Sequence, residues 1–207
     1  MYRPKAFAVD EIEALHAGIR ARVLATLAVV DGVDVRFAYA PVIVDALGPF
    51  GRLRFHLARQ NPLVRLLDGA KVRVSFLGPD GYVSPDWYVG GGFVPTWNYI
   101  AIEGEGVAQR LEGESCETAL ADLSAQQEAR LAPKPPWTIE ALTATRRRQL
   151  LEAISVFALP LSRLEGKFKL SQDKSAADRA GVVRALKSLQ DPRAQCLACV
   201  MDAQGSD

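Results

Sequence analysis

The sequence is poor in cysteine and histidine, the residues on which disulfide scaffolds and most zinc sites depend. Its 207 residues include three cysteines and two histidines. An odd, sparse set of cysteines excludes a disulfide framework and is typical of a reducing compartment, so we expect a cytoplasmic protein. Cys196 and Cys199 form a single CxxC pair, and neither His16 nor His56 stands at zinc spacing from it. The sequence therefore predicts no zinc-type metal centre.

An excess of one charge and a long apolar run are also missing. There are 25 Lys and Arg against 24 Asp and Glu, a net charge of +1. This balance gives no sign of nucleic-acid binding, and the basic run Arg146–Arg148 on a predicted helix is typical of a solvated face. The longest apolar run, Val23–Val30, is too short to span a bilayer, and Met1–Lys5 leads into a polar helix. We expect no signal peptide and no membrane partner, while direct DNA binding stays open.

Common catalytic motifs are absent as well. The sequence contains neither a GxxxxGK[ST] phosphate loop nor a GxSxG nucleophile elbow. Its triple glycine, Gly90–Gly92, lacks the strand-to-helix setting of a dinucleotide fingerprint. No nucleophile and no general acid–base pair can be nominated, so the catalytic residues are unassigned and enzyme activity stays open.

What the chain does contain is short alternating segments separated by turn residues. Hydrophobic residues make up 49% of it, enough for a sizeable core. The patterns predict strands over residues 23–30, 35–44, 53–57, 71–76, 82–84, 98–111 and 156–159. They predict helices over 10–23, from Asn61-Pro62, and over 115–130, 139–154, 173–189 and 191–201. At least six turn-linked strands favour an antiparallel β-barrel with peripheral helices, an α+β fold. No linker divides the chain, so we expect one domain over residues 1–207, with the helices from about residue 173 packed on the barrel.

One polar cluster, His56–Pro62, lies where a predicted strand ends and a helix begins. The free N–H groups at a helix start attract anions such as phosphate. Arg59, Gln60 and Asn61 would add donors, and an arginine can grip a phosphate with two bonds. The alternative is that Asn61 only caps the helix while Arg59 is solvated.

Three further clusters combine aromatic and polar residues. Ser84–Tyr88 and Val94–Tyr99 each centre on a tryptophan, and aromatic faces with nearby donors suit a flat ring such as isoalloxazine or a porphyrin. Core packing or a dimer contact is an equal alternative for both. Glu165–Ser175 brings lysines, a hydroxyl and an amide together before a helix, which suits a phosphate. Its alternative is a solvated turn with Asp173 as the helix N-cap.

Together with Met1–Phe7 and Ala25–Leu27, these clusters resemble the PaiB family of FMN-binding negative transcriptional regulators over nearly the whole chain. That family is similar to the FMN-binding split barrels, which are related to pyridoxamine-phosphate oxidases. The resemblance implies a six-stranded antiparallel Greek-key split barrel that forms a homodimer and binds flavin at the subunit interface. The residues expected at the flavin pocket lack the clustered arginines of true pyridoxamine-phosphate oxidases, so the resemblance does not imply that activity.

The resemblance also implies the residues that would hold the flavin. The strand end at His56 and the turn through Arg59, Gln60 and Asn61 would face the FMN phosphate. The edge near residue 98 would lie by the isoalloxazine or the dimer seam, and the segment near residue 170 would close the pocket, from the same or the partner subunit. These candidate cofactor-binding residues are His56, Ala58, Arg59, Gln60, Asn61, Trp97, Asn98, Tyr99, Lys169, Ser171 and Gln172.

One segment departs from the family pattern. Phe37–Pro41 is apolar where family members tend to carry a Thr-His-x-Pro stretch. Three functions therefore stay open: a flavin-binding regulator, a small flavin-dependent oxidoreductase, and a haem-binding split barrel with His56 as an iron ligand. This departure predicts a flavin that is weakly bound or absent, with haem as the alternative cofactor.

Overall fold

A computed structural model of the chain describes Met1–Gln204, and antiparallel strands dominate it. Eight strands and six α-helices occur within this range. The strands are β1 (Ala8–Val9), β2 (Leu24–Asp31), β3 (Asp34–Asp45), β4 (Arg52–Ala58), β5 (Lys71–Val83), β6 (Thr96–Val107), β7 (Gln109–Leu111) and β8 (Ile154–Lys169). The helices are α1 (Ile12–Arg22), α2 (Val64–Leu67), α3 (Glu114–Glu128), α4 (Ala144–Glu152), α5 (Ala176–Ser188) and α6 (Pro192–Ala203). The expected α+β class, an antiparallel sheet with peripheral helices, is confirmed.

The strands are hydrogen-bonded in the order β1-β8-β4-β3-β2-β5-β6. β7 pairs with β8, and β8 pairs additionally with β6. The meander of β2, β3 and β4 has the antiparallel registers Ala28↔Phe37 and Val44↔Leu53. None of the helices in the described range is long and apolar enough to cross a membrane.

Residue contacts divide the chain into two compact units. The first contains Met1–Gly18, Phe76–Glu103 and the residues from Glu165 onward. The second contains Ile19–Ser75 and Gly104–Leu164. Helix α1 and strands β5, β6 and β8 contribute residues to both units. The expectation of one domain over residues 1–207 stays a prediction.

The second unit has an aromatic and aliphatic core between its strands. Phe55 of β4 faces Phe157 of β8 across the ladder, and their rings stack with centroids 5.6 Å apart. Full burial of such a side chain contributes about 1.5–3 kcal/mol. On the other face of β4, Arg54 donates to Asp45 at 2.7 Å and pairs with Asp122 of α3 at 2.8 Å. This ion-pair network attaches α3 to the sheet.

The first unit buries its core between α5, α6 and the neighbouring strand residues. Leu186, Leu197 and Met201 are almost completely shielded from solvent. Helix α5 also approaches the short 3-10 turn Pro85–Trp87 so closely that a Cβ atom at Gly181 would overlap the Trp87 carbonyl oxygen. Glycine is therefore required at this contact.

Several boundaries differ from the sequence-based expectations. β5 runs straight through Gly78–Gly81, where a turn separating two strands was expected. β8 extends to Lys169 rather than ending near residue 159, and the helix expected over 139–154 is reduced to α4. In the first unit, Ser175 rather than Asp173 caps α5. Gly and Pro signal turns only where the neighbouring strands do not continue the hydrogen-bond ladder.

Candidate functional site

The turn after β4 does not form the helix start expected at Asn61-Pro62. Helix α2 has only four residues, and its N-cap is Leu63, with no side-chain cap. Asn61 instead accepts a hydrogen bond from the Leu63 amide through Oδ1, at 3.0 Å. A four-residue helix has almost no dipole to hold an anion. The anion-binding argument for this turn therefore depends on Arg59 and not on the helix.

Arg59 lies in a cleft of the second unit with a volume of about 540 Å³. Two further guanidinium groups line it, from Arg110 of β7 and Arg148 of α4. We call this site the arginine cleft. Its other lining residues are Leu111, Glu112, Gly113, Cys116, Glu117, Leu151, Glu152, Ile154, Ser155 and Val156. The volume lies within the range of about 300–1,000 Å³ typical of small-molecule sites.

Two of the three arginines have no carboxylate partner in the described part of the chain. Arg59 donates from Nη2 to the Ile154 carbonyl at 3.1 Å, and Arg110 donates from Nη2 to Ser155 Oγ at 2.8 Å. Arg148 forms an exposed pair with Glu152 at 3.7 Å. These contacts with neutral atoms position the guanidinium groups of Arg59 and Arg110 without cancelling their charge. Three glutamates, Glu112, Glu117 and Glu152, line the same cleft. A phosphate or a carboxylate would therefore bind at the guanidinium groups of Arg59 and Arg110 and not to the cleft as a whole.

A thiol also lines the arginine cleft. Cys116 donates from Sγ to the Leu111 carbonyl at 3.0 Å. Burial raises the pKa of this thiol, and the negative charge of Glu112 raises it further. The side chain therefore stays protonated at neutral pH and is a poor nucleophile.

The other predicted site residues of the His56–Pro62 segment differ in exposure. Ala58 and Gln60 are exposed, whereas His56 is half-buried opposite Val156 on β8. Burial lowers the pKa of His56 below its ordinary value. Because a neutral imidazole has a free lone pair, His56 can accept a hydrogen bond or bind a metal at neutral pH.

The predicted segment Trp97–Tyr99 presents its side chains to two faces of β6. Successive strand residues point to opposite faces, which separates Asn98 from its two neighbours. Trp97 is 49% exposed and Asn98 is completely buried. Lys167 lies over the Tyr99 ring, with Nζ 5.2 Å from its centroid.

Trp97 belongs to an aromatic cluster on the surface of the first unit. The Tyr82 ring lies edge-on to both Trp97 and Trp87, with centroids 6.3 and 6.5 Å away. Trp97 donates from Nε1 to Asp80 at 2.9 Å. The two tryptophan segments that the sequence analysis selected thus meet through Tyr82, and not through the glycine loop between them.

Asn98, Lys169 and Ser171 are brought together at a smaller cavity of the first unit, with a volume of about 230 Å³. Asn98 donates from Nδ2 to Ser171 Oγ at 2.9 Å, and Lys169 donates to the Thr96 hydroxyl. We call this site the Asn98 cavity. Its other lining residues are Phe7, Tyr88, Phe93, Val94, Asp173 and Lys174. Gln172 is exposed and bonds to the backbone of Phe168 and Leu170.

Sequence reasoning missed most of the arginine cleft. Arg110 and Ser155 are far apart in the chain and meet because β7 pairs with β8, with Leu111 opposite Val156. Nothing in a single sequence encodes that register. Arg148 was seen only as part of a basic run. In the first unit, Tyr88 and Lys174 lay inside the selected clusters, whereas Phe7 entered only as part of the Met1–Phe7 segment that carries the family resemblance.

Comparisons with known proteins agree with these observations. The family described as "Putative FMN-binding domain" matches residues 1–163. The Bacillus subtilis protease synthase and sporulation protein PAI 2 is 26% identical, over 98% of this chain and 97% of that protein. An uncharacterized protein of Emericella nidulans is 30% identical, over 80% and 78%. The PaiB-type resemblance is thereby confirmed.

Solved structures share the fold at low sequence identity. The FAD and heme binding protein of Mycobacterium smegmatis superposes with a TM-score of 0.61 at 20% identity, covering 84% of this chain and 78% of that one. The flavocytochrome Anf3 of Azotobacter vinelandii gives 0.60 at 16% identity, covering 81% and 72%. Because the family model matches residues 1–163 of its 207 residues, the chain belongs to the FMN-binding domain family.

Proposed function

We propose that this protein binds flavin mononucleotide and that the flavin phosphate occupies the arginine cleft. The observation that carries the proposal is the pair of guanidinium groups, Arg59 and Arg110, which face one cleft without a carboxylate partner in the described structure. A phosphate would accept paired N–H bonds from these two groups. The family match supports the flavin as the group to which this phosphate belongs.

The strand pairings support the six-stranded split barrel as the scaffold. The order β8-β4-β3-β2-β5-β6 returns to β8 through the additional β8–β6 pairing. Six strands in such a cycle would leave no free edge among themselves, which is the advantage of a closed barrel. The two short strands, β1 and β7, both pair with β8 and lie outside the cycle.

Titration of the purified protein with FMN and with riboflavin tests this proposal. The two ligands share the ring system, and only FMN carries the phosphate. We expect Arg59→Met and Arg110→Met each to weaken FMN binding by about tenfold or more, since a hydrogen bond to a charged group contributes about 1.5–3 kcal/mol. Flavin fluorescence quenching and the visible spectrum measure the binding.

Riboflavin binding should be unchanged in both variants. Arg146→Met is the matched control, because Arg146 is exposed on α4, does not line the cleft and donates from Nη1 to Gln149 of its own helix. Equal affinity for FMN and riboflavin, together with no effect of Arg59→Met, would place the phosphate elsewhere.

We further propose a cytoplasmic, PaiB-type negative regulator of transcription. The support is the family resemblance and the similarity to PAI 2 over its full length. The exposed Arg146 and Arg148 on α4 are the local basic groups available for a DNA backbone. A gel-shift assay with the protein's own promoter region, at physiological salt and with or without FMN, tests direct repression. No shift in either condition would contradict it.

A haem-binding role is the second candidate, and His56 favours it. Its half-buried imidazole, with a lowered pKa, has the neutral protonation state that an iron ligand needs. Added haemin should then give a Soret band that His56→Ala removes while His16→Ala does not. A band that survives His56→Ala would exclude this residue as the ligand.

We also propose that the protein is a homodimer. The exposed side of the β2–β3 ladder is apolar, and its exposed members are Leu24, Val30, Val35, Phe37 and Tyr39. Contiguous exposed apolar surface of this kind marks interaction sites. A second copy is the partner that this surface would most simply meet, because twofold homodimers are the commonest symmetric assembly.

A further inference from the structure

We propose that the Asn98 cavity is a binding site for a small, single-ring aromatic carboxylate. This site is separate from the proposed flavin phosphate site and does not depend on it. The cavity lies within the first unit, and its lining residues come from four segments of that unit: Phe7, Tyr88–Asn98, Lys169–Ser171 and Asp173-Lys174.

One part of the lining is aromatic. Tyr88 and Phe93 lie against each other with ring centroids 4.5 Å apart, and Phe7 lines the cavity with them. Aromatic walls favour a flat apolar body, which can pack against them edge-on or offset-stacked. At about 230 Å³ the cavity is below the usual range for drug-sized ligands. It therefore suits one ring and not the three fused rings of a flavin.

The polar part of the lining offers donors. Ser171 Oγ accepts from Asn98 Nδ2, so its own proton must point to a different acceptor. Thr96 likewise accepts from Lys169, which leaves its hydroxyl proton free to donate. The ammonium groups of Lys169 and Lys174 lie beside these hydroxyls. This part of the cavity therefore favours a ligand group that accepts hydrogen bonds and donates none. A carboxylate is such a group.

The charges of the lining also match one carboxylate. Lys174 pairs with Asp173 at 2.8 Å, and its Nζ lies 5.2 Å from the Phe93 centroid. Lys169 has no carboxylate partner among the residues that the structure describes. The lining therefore carries one uncompensated positive charge, at the half-buried Lys169. A monoanion would neutralise it.

Ser171 is held in an unusual backbone conformation at this site. Its φ of 60° lies in the left-handed region, although it is not glycine and is almost completely buried. Such residues cost about 1–3 kcal/mol and cluster at ligand sites, where the surrounding contacts enforce them.

Fluorine NMR with three probes tests the proposal directly. The probes are 4-fluorobenzoate, 4-fluorobenzyl alcohol, which keeps the ring and lacks the charge, and trifluoroacetate, which keeps the charge and lacks the ring. We expect saturable binding of 4-fluorobenzoate at millimolar concentration or below, and weaker or no binding of the other two. No saturable binding of 4-fluorobenzoate, or equal binding of all three, would overturn the proposal.

Variants of the lining locate the probe. Lys169→Met should weaken 4-fluorobenzoate binding by about tenfold, because it removes a charge-assisted contact. Ser171→Gly should weaken it several-fold, and glycine tolerates the left-handed backbone at this position. Lys167→Met is the control: this lysine lies on the same strand over Tyr2 and Tyr99 and does not line the cavity. If Lys169→Met fails to fold, Ser171→Gly and the three probes on the unchanged protein decide the matter.

Competition with FMN separates this proposal from the flavin site. Saturating FMN should leave the bound fraction of 4-fluorobenzoate unchanged, and Arg59→Met should weaken FMN without affecting the probe. Competitive displacement of the probe by FMN would assign the cavity to the flavin and overturn the proposal. Probe binding in a protein that binds no flavin would refute the flavin proposal alone.

Discussion

Asp178 holds the loop after the 3-10 turn of residues 85–87 against the beginning of α5. Its Oδ1 accepts from the Val89 and Gly90 amides at 2.8 and 2.9 Å, and its Oδ2 accepts from Ser175 at 2.7 Å. The Gly90 amide, then the Ser175 hydroxyl and the Val89 amide, lower the pKa of this carboxyl. One side chain thus fixes the loop that carries Phe93 toward the Asn98 cavity.

Asp178→Asn should make this part of the protein less sensitive to acid. A carboxyl with a lowered folded-state pKa stabilises the fold above its unfolded pKa of about 3.9, and this stabilisation is lost as the pH falls through the lower folded value. The melting temperature of Asp178→Asn should therefore lie furthest below the wild type at neutral pH. The gap between the two curves should narrow as the pH falls below about 3.9.

Asp173→Asn is the control, because Asp173 is exposed and its partner Lys174 is its neighbour in sequence. Melting curves from pH 3 to pH 7 provide the measurement. A gap between wild type and Asp178→Asn that stays constant over this range would contradict the role given to the charge.

At the scale of single residues, the sequence indicates which segments combine aromatic and polar residues. It does not indicate which distant residues these segments contact. The segment around Asn98 was selected for its mixture of aromatic and polar groups. Alternation along a strand then separates Asn98 from Trp97 and Tyr99, and this follows from the sequence once the strand is recognised. That Asn98 would meet Ser171, 73 positions away, does not follow from any local pattern.

Helix α5 depends on a glycine at the point where it meets the Pro85–Trp87 turn. In an isolated helix, alanine is more favourable than glycine by about 1 kcal/mol. At position 181, however, the added Cβ would overlap the Trp87 carbonyl oxygen, a backbone atom that cannot rotate away. The two effects have opposite signs, and steric overlap of this kind typically costs about 1–3 kcal/mol or more.

We expect Gly181→Ala to lower the free energy of unfolding by about 1–3 kcal/mol, with the overlap outweighing the gain in helix propensity. Chemical denaturation of the two proteins measures the difference. Gly91→Ala is the matched control, since a Cβ there meets no atom within 4 Å, and it should stay within about 0.5 kcal/mol of the wild type. A Gly181→Ala protein as stable as the wild type or more so would show that the turn moves aside easily.

The strands were predictable where the local sequence pattern agrees with the strand pairing in the structure. The meander β2–β4 has alternating residues bounded by turn signals, and its strands were placed within one or two residues. β5 was divided in two because Gly78-Pro79 carries a turn signature. In the structure, the side chain of Ile100 on β6 packs directly against Gly78, and the absence of a Cβ at this position is what permits the strand to continue. A turn signature in sequence can therefore mark a close approach between strands.

For the whole molecule, charge and apolar surface point to different partners. The net charge of +1 gives little general attraction to nucleic acid. The exposed side of the β2–β3 ladder, in contrast, carries Phe37 at 59% and Tyr39 at 67% exposure. Both side chains add to the apolar surface of this side of the ladder, which favours self-association through this surface.

Phe37→Glu combined with Tyr39→Glu should convert a dimer into a monomer. Two carboxylates on each copy would meet near the twofold axis of a symmetric interface, where buried like charges repel each other and lose their hydration. Sedimentation equilibrium should give twice 22.5 kDa for the wild type and 22.5 kDa for the double variant. Val89→Glu is the control, because Val89 is 71% exposed in the first unit and lies outside this ladder. A monomeric wild type at micromolar concentration would contradict the dimer, and a double variant that stays dimeric would place the interface on a different surface.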